Sequence, residues 1–113
     1  MYKFLTHDAH GSVLRIALNR PEVFNAFHRG MALELQQALA EADRNPEVRA
    51  VLLTGEGRAF CSGQDLSEAI DPQGPGLDRI LSEHYNPLVL QMRSIRKPVV
   101  VAVNGVAAGA GAN

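Results

Sequence analysis

Two glycine-bearing stretches hold the residues of this chain best suited to chemistry. The first runs Gly57-Arg58-Ala59-Phe60-Cys61-Ser62-Gly63-Gln64-Asp65-Leu66, and the second is Asn104-Gly105-Val106-Ala107-Ala108-Gly109-Ala110-Gly111-Ala112-Asn113. Each follows an apolar, β-branched run and leads into a helix-compatible segment, so each reads as a turn from strand to helix. Such turns aim backbone N–H groups into the space above the strand ends, where a helix N-terminus favours negative charge. The chemistry on offer is stabilisation of an anion by main-chain amides.

In the first turn Asp65 and Glu68 stand three apart, the spacing of a capping box with Asp65 as N-cap, and a structural cap is the plain reading of that aspartate. If Asp65 serves the amides behind it, the Gln64 N–H is left to face a ligand, and Gly63 lets the backbone come close. In the second turn Gly105, Gly109 and Gly111 give Gly-x-x-x-Gly-x-Gly. That spacing fits neither the dinucleotide fingerprint nor the phosphate loop, because no Lys or Ser/Thr follows. Taken alone, such a run of small residues also suits tight helix packing.

The other reactive side chains read blandly. His7, His10 and His28 fall in or beside strands, turns and a helix entrance with no metal-ligand spacing. His84 reads as a packed or capping histidine, and Tyr85 as a core aromatic or as part of a pocket. Cys61, the single cysteine, excludes an internal disulfide and reads as a small buried hydrophobe beside Phe60. A Cys/His nucleophile pair needs a geometry that only the fold supplies. No metal and no redox cofactor is expected.

The elements that would position these turns follow from periodicity. Residues Tyr2–His7 and Val13–Asn19 suit two strands around the turn Asp8-Ala9-His10-Gly11, and Pro21 ends the pairing. Met31, Leu35, Ala38, Leu39 and Ala42 form one stripe of an amphipathic helix from Arg29 to Arg44, stopped by Asn45-Pro46. Residues Ala50–Thr54 read as a strand covered on both faces, and Val99–Val103 after Pro98 as a second of that kind. Between them lie a mobile loop over Asp71–Gly76 and a helical stripe of Leu77, Ile80, Leu81, Leu88, Met92 and Ile95. Pro87 interrupts that stripe, which predicts a kink or two helices meeting near Asn86. Buried strands separated by helices argue α/β layering. The last residues start a helix without finishing it, which predicts that the sequence is the front part, residues 1–113, of a single longer domain.

Composition narrows the partners. The 113 residues are 46% hydrophobic and 20% charged, with 11 Lys+Arg against 12 Asp+Glu. That balance supplies no basic field for nucleic acid. No apolar run approaches the length of a membrane span, and the first residues lack a signal-peptide core, so the expected location is the cytoplasm, with no membrane partner.

Six pieces in order resemble the crotonase superfamily, the enoyl-CoA hydratase/isomerase group. They are Leu18-Asn19-Arg20-Pro21 with Asn25-Ala26, Val51-Leu52-Leu53-Thr54-Gly55, Arg58 to Leu66, Lys97-Pro98, Val103-Asn104-Gly105, and Gly109-Ala110-Gly111. Within it, Gly63-Gln64-Asp65-Leu66, Asp71 to Pro75, Tyr85 to Val89 and Gly105 to Gly111 are most similar to the ring-1,2-epoxyphenylacetyl-CoA isomerases of phenylacetate degradation.

The resemblance implies an α/β crotonase-like spiral of repeated β-β-α units, cut before its C-terminal helical part. It implies a coenzyme A thioester substrate with no separate cofactor, and trimers or hexamers at full length. The backbone N–H groups of Gln64 and Ala110 would form an oxyanion hole for the thioester enolate. Phe24, Ala26, Ala59, Ser62, Gly63, Asp65, Leu66, Val106 and Gly109 would line the CoA and acyl channel, and Tyr85 would reach the acyl pocket. Asn113 stands where hydratases of the group carry a carboxylate, which points away from hydration and towards the epoxide isomerase, with a base beyond this sequence. A general hydratase or double-bond isomerase is the alternative. A non-catalytic acyl-CoA-binding fragment is the alternative of another class.

Overall fold

A computed structural model describes residues 2–74 and 76–113. Six strands and four short-to-medium helices alternate along it. β1 (Leu5–His10) and β2 (Val13–Leu18) form an antiparallel hairpin in register Leu5 to Leu18 and His10 to Val13. The strand therefore runs on to His10, and the turn is only Gly11-Ser12, with Gly11 at φ +62°. It was expected three residues earlier; the ladder outweighs the turn preference of Asp8.

Helix α1 spans Arg29–Arg44, as its stripe predicts, and buries Met31, Ala32, Leu35, Ala38, Leu39 and Ala42. His28 is its N-cap, Nδ1 accepting from the Met31 N–H at 3.3 Å. Its end is set by Pro46, which pushes Asn45 into extended backbone at φ −86°, ψ 113°. Lys97 closes that end by donating to the carbonyls of Ala42 and Asn45.

β3 (Ala50–Gly55) pairs parallel with β2, and β5 (Val99–Val101) pairs parallel with β3, giving the sheet order β1-β2-β3-β5. Ile16, Leu18, Val51 and Leu53 meet the buried face of α1 in one core. β5 corrects an expectation. Val100 is 56% and Val101 45% exposed, because among the described residues nothing lies over this edge strand.

Two further strands were read as turn. β4 (Ala59–Cys61) and β6 (Val106–Ala107) pair parallel as a separate two-stranded sheet. Three residues are too few for periodicity to reveal, and their partner lies more than forty positions away.

Beyond β4 come α2 (Leu66–Ala69), α3 (Gly76–Arg79), a π-helical segment Ile80–Tyr85 and α4 (Asn86–Ser94). Pro75 of the expected loop and the side chain of Leu77 lie outside the described residues. The break expected at Pro87 is resolved as a π turn. A proline in a helix offers no N–H to the carbonyl one turn back, here that of Glu83. Instead the Gln36 side chain donates to the Glu83 and His84 carbonyls at 2.8 and 3.2 Å. The Asn86 N–H reaches back five residues to Leu81.

Candidate active site

The first of the two turns is built by the segment that leaves β2. After a 3-10 turn at Pro21–Val23, Phe24 and Asn25 both adopt left-handed backbone, φ 53° and 56°. Asn tolerates this region better than most residues, and here its side chain holds it there. Asn25 is fully buried. Its Oδ1 accepts from the Arg20 N–H at 2.7 Å, and its Nδ2 donates to the carbonyls of Glu56 and Ala59, both at 2.9 Å. This one carboxamide stitches the 20–27 segment to the mouth of β4.

The same segment then pairs with the chain after β4. The Phe27 N–H donates to Gly63 and the Asp65 N–H donates to Phe27, both at 2.7 Å, a parallel bridge between Phe27 and Gln64. In that pattern Gly63 turns its carbonyl and Asp65 its amide towards Phe27, so the N–H of Gln64 between them faces the opposite way.

What lies on that opposite side is the second turn. The Ala108 N–H donates to the Cys61 carbonyl at 3.1 Å, continuing the β4–β6 ladder. Gly63, at φ +113°, has no room for a side chain: a Cβ there would sit 3.0 Å from the Ala108 oxygen and 3.7 Å from the Ala110 nitrogen. Gly105 is more constrained still, since a Cβ would come within 1.8 Å of the Arg58 oxygen. The two stretches, far apart in sequence, are therefore clamped side by side. Neither the Gln64 nor the Ala110 amide donates to any acceptor among the described residues.

Helices behind the turns contribute less than expected. α2 has four residues, and Gly109–Gly111 is a 3-10 turn. The amides are oriented by the ladder rather than by long helix dipoles.

Asp65 is the N-cap, its Oδ1 accepting from the Ser67 and Glu68 amides at 2.9 and 3.3 Å. The reciprocal half of the capping box does not form. Both oxygens of Glu68 instead take the Arg29 N–H at the start of α1. The other oxygen of Asp65 takes Arg20 Nη1 at 3.1 Å, and the same nitrogen donates to the Ala26 carbonyl at 2.7 Å. The two side chains are 16% and 15% exposed. Burial raises the Asp65 carboxyl, but Arg20 and the Glu68 and Ser67 hydrogen bonds outweigh it and hold the group below its ordinary range. Asp65 is thus an ionised, fully engaged structural carboxylate. Arg20, Asn25 and the cross-helix role of Glu68 were not foreseen; their only sequence trace was membership of the Leu18–Ala26 motif and the capping spacing.

An apolar cavity of about 290 Å³ lies beside the second turn. Phe27, Phe60, Tyr85, Met92, Ala107 and Ala110 are among its walls. Tyr85 meets Phe27 edge-on at 5.9 Å, and burial first, then the nearby Cys61, Glu68 and Asp65, push its hydroxyl up to about 12. Tyr85 and Ala110 therefore share one cavity. Ala26 and Ala59 are buried beneath the turns, whereas Phe24, Ser62, Leu66, Val106 and Gly109 are exposed around them. The Ser62 N–H donates to the Phe24 carbonyl at 3.0 Å, which ties those two together.

Cys61 and His84 do not form a nucleophile pair. Burial pushes the Cys61 thiol up, against hydrogen bonds from the Gly63 and Phe27 backbones. His84 is buried, its Nε2 3.4 Å from Arg29 Nη1. Among the described residues no three His, Cys, Asp or Glu side chains converge as metal ligands, and no helix is long and apolar enough to cross a membrane.

Comparison with known proteins decides the family. Residues 8–113 match the family described as enoyl-CoA hydratase/isomerase. The chain belongs to that family. It is 45% identical to the 1,2-epoxyphenylacetyl-CoA isomerase of Escherichia coli (strain K12) over 115 residues, covering 99% of this chain and 44% of that protein. It is 46% identical over 112 residues to a "Probable enoyl-CoA hydratase" of Rhodobacter capsulatus, covering 99% and 42%. The chain thus spans less than half the length of these curated relatives. The fold is the crotonase fold. The enoyl-CoA hydratase from Bacillus anthracis superimposes with a TM-score of 0.85 at 30% identity, covering 96% of this chain and 43% of that one. The enoyl-CoA hydratase EchA8_6 from Mycobacterium marinum does so at 0.83 and 36%, covering 97% and 52%.

Proposed function

We propose that the protein carrying this sequence isomerises an aromatic epoxyacyl-CoA, ring-1,2-epoxyphenylacetyl-CoA to its oxepin form, with the thioester oxygen held between the backbone N–H groups of Gln64 and Ala110. The observation that carries this reading is the pair of unpartnered amides held by adjacent strand ends beside an apolar cavity. Two preorganised dipoles on a thioester oxygen stabilise the negative charge that develops there, typically by several kcal/mol for such holes. Phe27, Tyr85 and Met92 give the cavity walls suited to an aromatic acyl group. The exposed rim of Phe24, Ser62 and Leu66 would carry the coenzyme A arm.

Proton transfer needs a separate acid–base group. Asp65 and Glu68 are not that group, because their oxygens are taken by Arg20, the α2 amides and the start of α1. In this reading coenzyme A belongs to the substrate, no further cofactor takes part, and the assembly is a trimer or a pair of trimers.

The test is thermal unfolding of the chain with and without excess phenylacetyl-CoA. A ligand that binds only the folded state at a hundred times its Kd adds about 2.7 kcal/mol and raises the midpoint. An unmoved midpoint removes the acyl-CoA reading from this chain. A second reading, hydration or double-bond isomerisation of an enoyl-CoA, draws on the Rhodobacter capsulatus relative. Turnover of crotonyl-CoA but not of the epoxide by the whole protein would select it.

A further inference from the structure

The π-helical segment Ile80–Tyr85 takes no part in the proposed reading, although it carries Tyr85 to the cavity wall. Single π turns recur at functional sites. What holds this one open is a residue of another element. Pro87 leaves the Glu83 carbonyl without its helical donor, and a main-chain acceptor away from bulk water needs a partner. Gln36, half-buried on α1, supplies one: its Nε2 donates to the Glu83 carbonyl at 2.8 Å and to the His84 carbonyl at 3.2 Å. Two carbonyl oxygens at one end of the carboxamide fix which end is the NH2, because the reversed amide would set oxygen against oxygen. The main-chain carbonyl of Gln36 in turn accepts from Gln91 Nε2 at 2.9 Å. One position of α1 therefore grips the chain on both sides of Pro87.

Tyr85 follows directly on the two tethered carbonyls. Its ring meets Phe27 edge-on at 5.9 Å, and Leu88 and Met92 line the same cavity from beyond Pro87. Gln36 does not line the cavity, so its effect on a bound ligand passes through the residues it holds. Without the tether the main chain before Tyr85 loses this hold on α1. The links that remain there run from Arg29 to the side chains of Glu83 and His84, whose rotatable bonds leave the rotation of the turn free.

We infer that Gln36 is a positioning residue for acyl-group specificity: its carboxamide holds the Ile80–Tyr85 turn so that the Tyr85 ring stays in the cavity wall and meets an aromatic acyl group. The inference rests on the acyl-CoA reading above. An aromatic ring held edge-on to a phenyl group favours it over an acyl group too short to reach the ring.

The experiment has two arms, each comparing wild type with Gln36→Met, which keeps the length of the side chain and removes its donor. Should that variant fail to melt cooperatively, Gln36→Ala, which lets water reach the two carbonyls, takes its place. The chain has two tyrosines and no tryptophan, so in a Tyr2→Phe background the tyrosine fluorescence is that of Tyr85. Its quenching by acrylamide should rise in the variant towards that of free tyrosine. In the second arm, titration calorimetry gives the ratio of affinities for phenylacetyl-CoA and acetyl-CoA. That ratio should fall by about fivefold, the worth of one edge-on aromatic contact, with acetyl-CoA affinity little changed. A variant that loses stability but keeps both the quenching and the ratio of the wild type overturns the inference, since Gln36 then only holds the fold. A raised quenching with an unchanged ratio overturns it too, because the ring then moves without consequence for the acyl group. Failure of the wild type to bind either thioester is a different result: it removes the acyl-CoA reading and the specificity role with it, while the quenching still decides whether Gln36 places the ring.

Discussion

Both carboxylate oxygens of Glu68 accept from the backbone N–H of Arg29, at 3.1 and 3.0 Å, so a residue of α2 caps the first turn of α1. The contact fixes the chain after Gln64 onto the longest helix of the fold. Glu68→Ala should cost about 1 kcal/mol, the usual worth of a lost helix cap. Glu68→Gln, which keeps an acceptor, should cost less than half of that. Urea unfolding at constant m-value measures both.

Arg20 and Asp65 form a pair that is mostly, not wholly, enclosed. Arg20→Met leaves the Asp65 carboxylate without its cation and should destabilise by about 2 kcal/mol, below the range for fully enclosed pairs. Asp65→Asn combined with Arg20→Met should cost less than the sum of the single changes, since each already breaks the same pair. Strict additivity in the cycle would mean that the pair is idle.

Gly105→Ala places a Cβ where the Arg58 oxygen already sits. Overpacking of this kind costs about 1–3 kcal/mol, and here it forces β4 and β6 apart. The phenylacetyl-CoA shift in midpoint should vanish even at temperatures where the chain stays folded. Gly11→Ala is the comparison. Its φ of +62° strains an alanine, but no atom lies within 4 Å, so stability should fall by about 1 kcal/mol with the ligand shift kept.

Burial pushes the His84 imidazole below its ordinary value of 6.5; Glu68 and Glu83 pull it back while Arg29 and Arg79 add to the shift. The folded state then binds fewer protons than the unfolded state, so stability is full above 6.5 and falls as pH drops towards the depressed value. His28 shifts the same way. His84→Gln should flatten the acid decline in part, and His28→Asn with His84→Gln should flatten it further. An unchanged slope in the double variant would place the decline on the carboxylates alone.

The helix over Arg29–Arg44 and the strand over Ala50–Gly55 were legible because their signals are local: a stripe of period 3.6, a proline stop, a short apolar run. The two turns were legible through their glycines, and their order along the chain carried the family resemblance. What makes them one site was not legible. β4 is three residues long and finds its partner β6 more than forty positions later, which no local pattern encodes. Glu68 has the spacing of a capping box but a nearer competitor, the open N-terminus of α1, reachable only after the chain has folded. Val99–Val103 has the composition of a covered strand, yet composition says nothing of what lies above it.

The π turn before Pro87 has a consequence for insertions and deletions. Each residue advances an α-helix by about 100°. The i to i+5 link from Leu81 to Asn86 therefore holds one residue more than an α-helical ring would. Ile80, His84 and Leu88 are all buried with that extra residue in place. Deleting any one residue between 80 and 85 would let the hydrogen bonds close as an ordinary helix. Ile80 and Leu88 would then stand seven apart, within about 20° of one face, so both would stay buried, whereas one further residue inserted instead would turn one of them out to water.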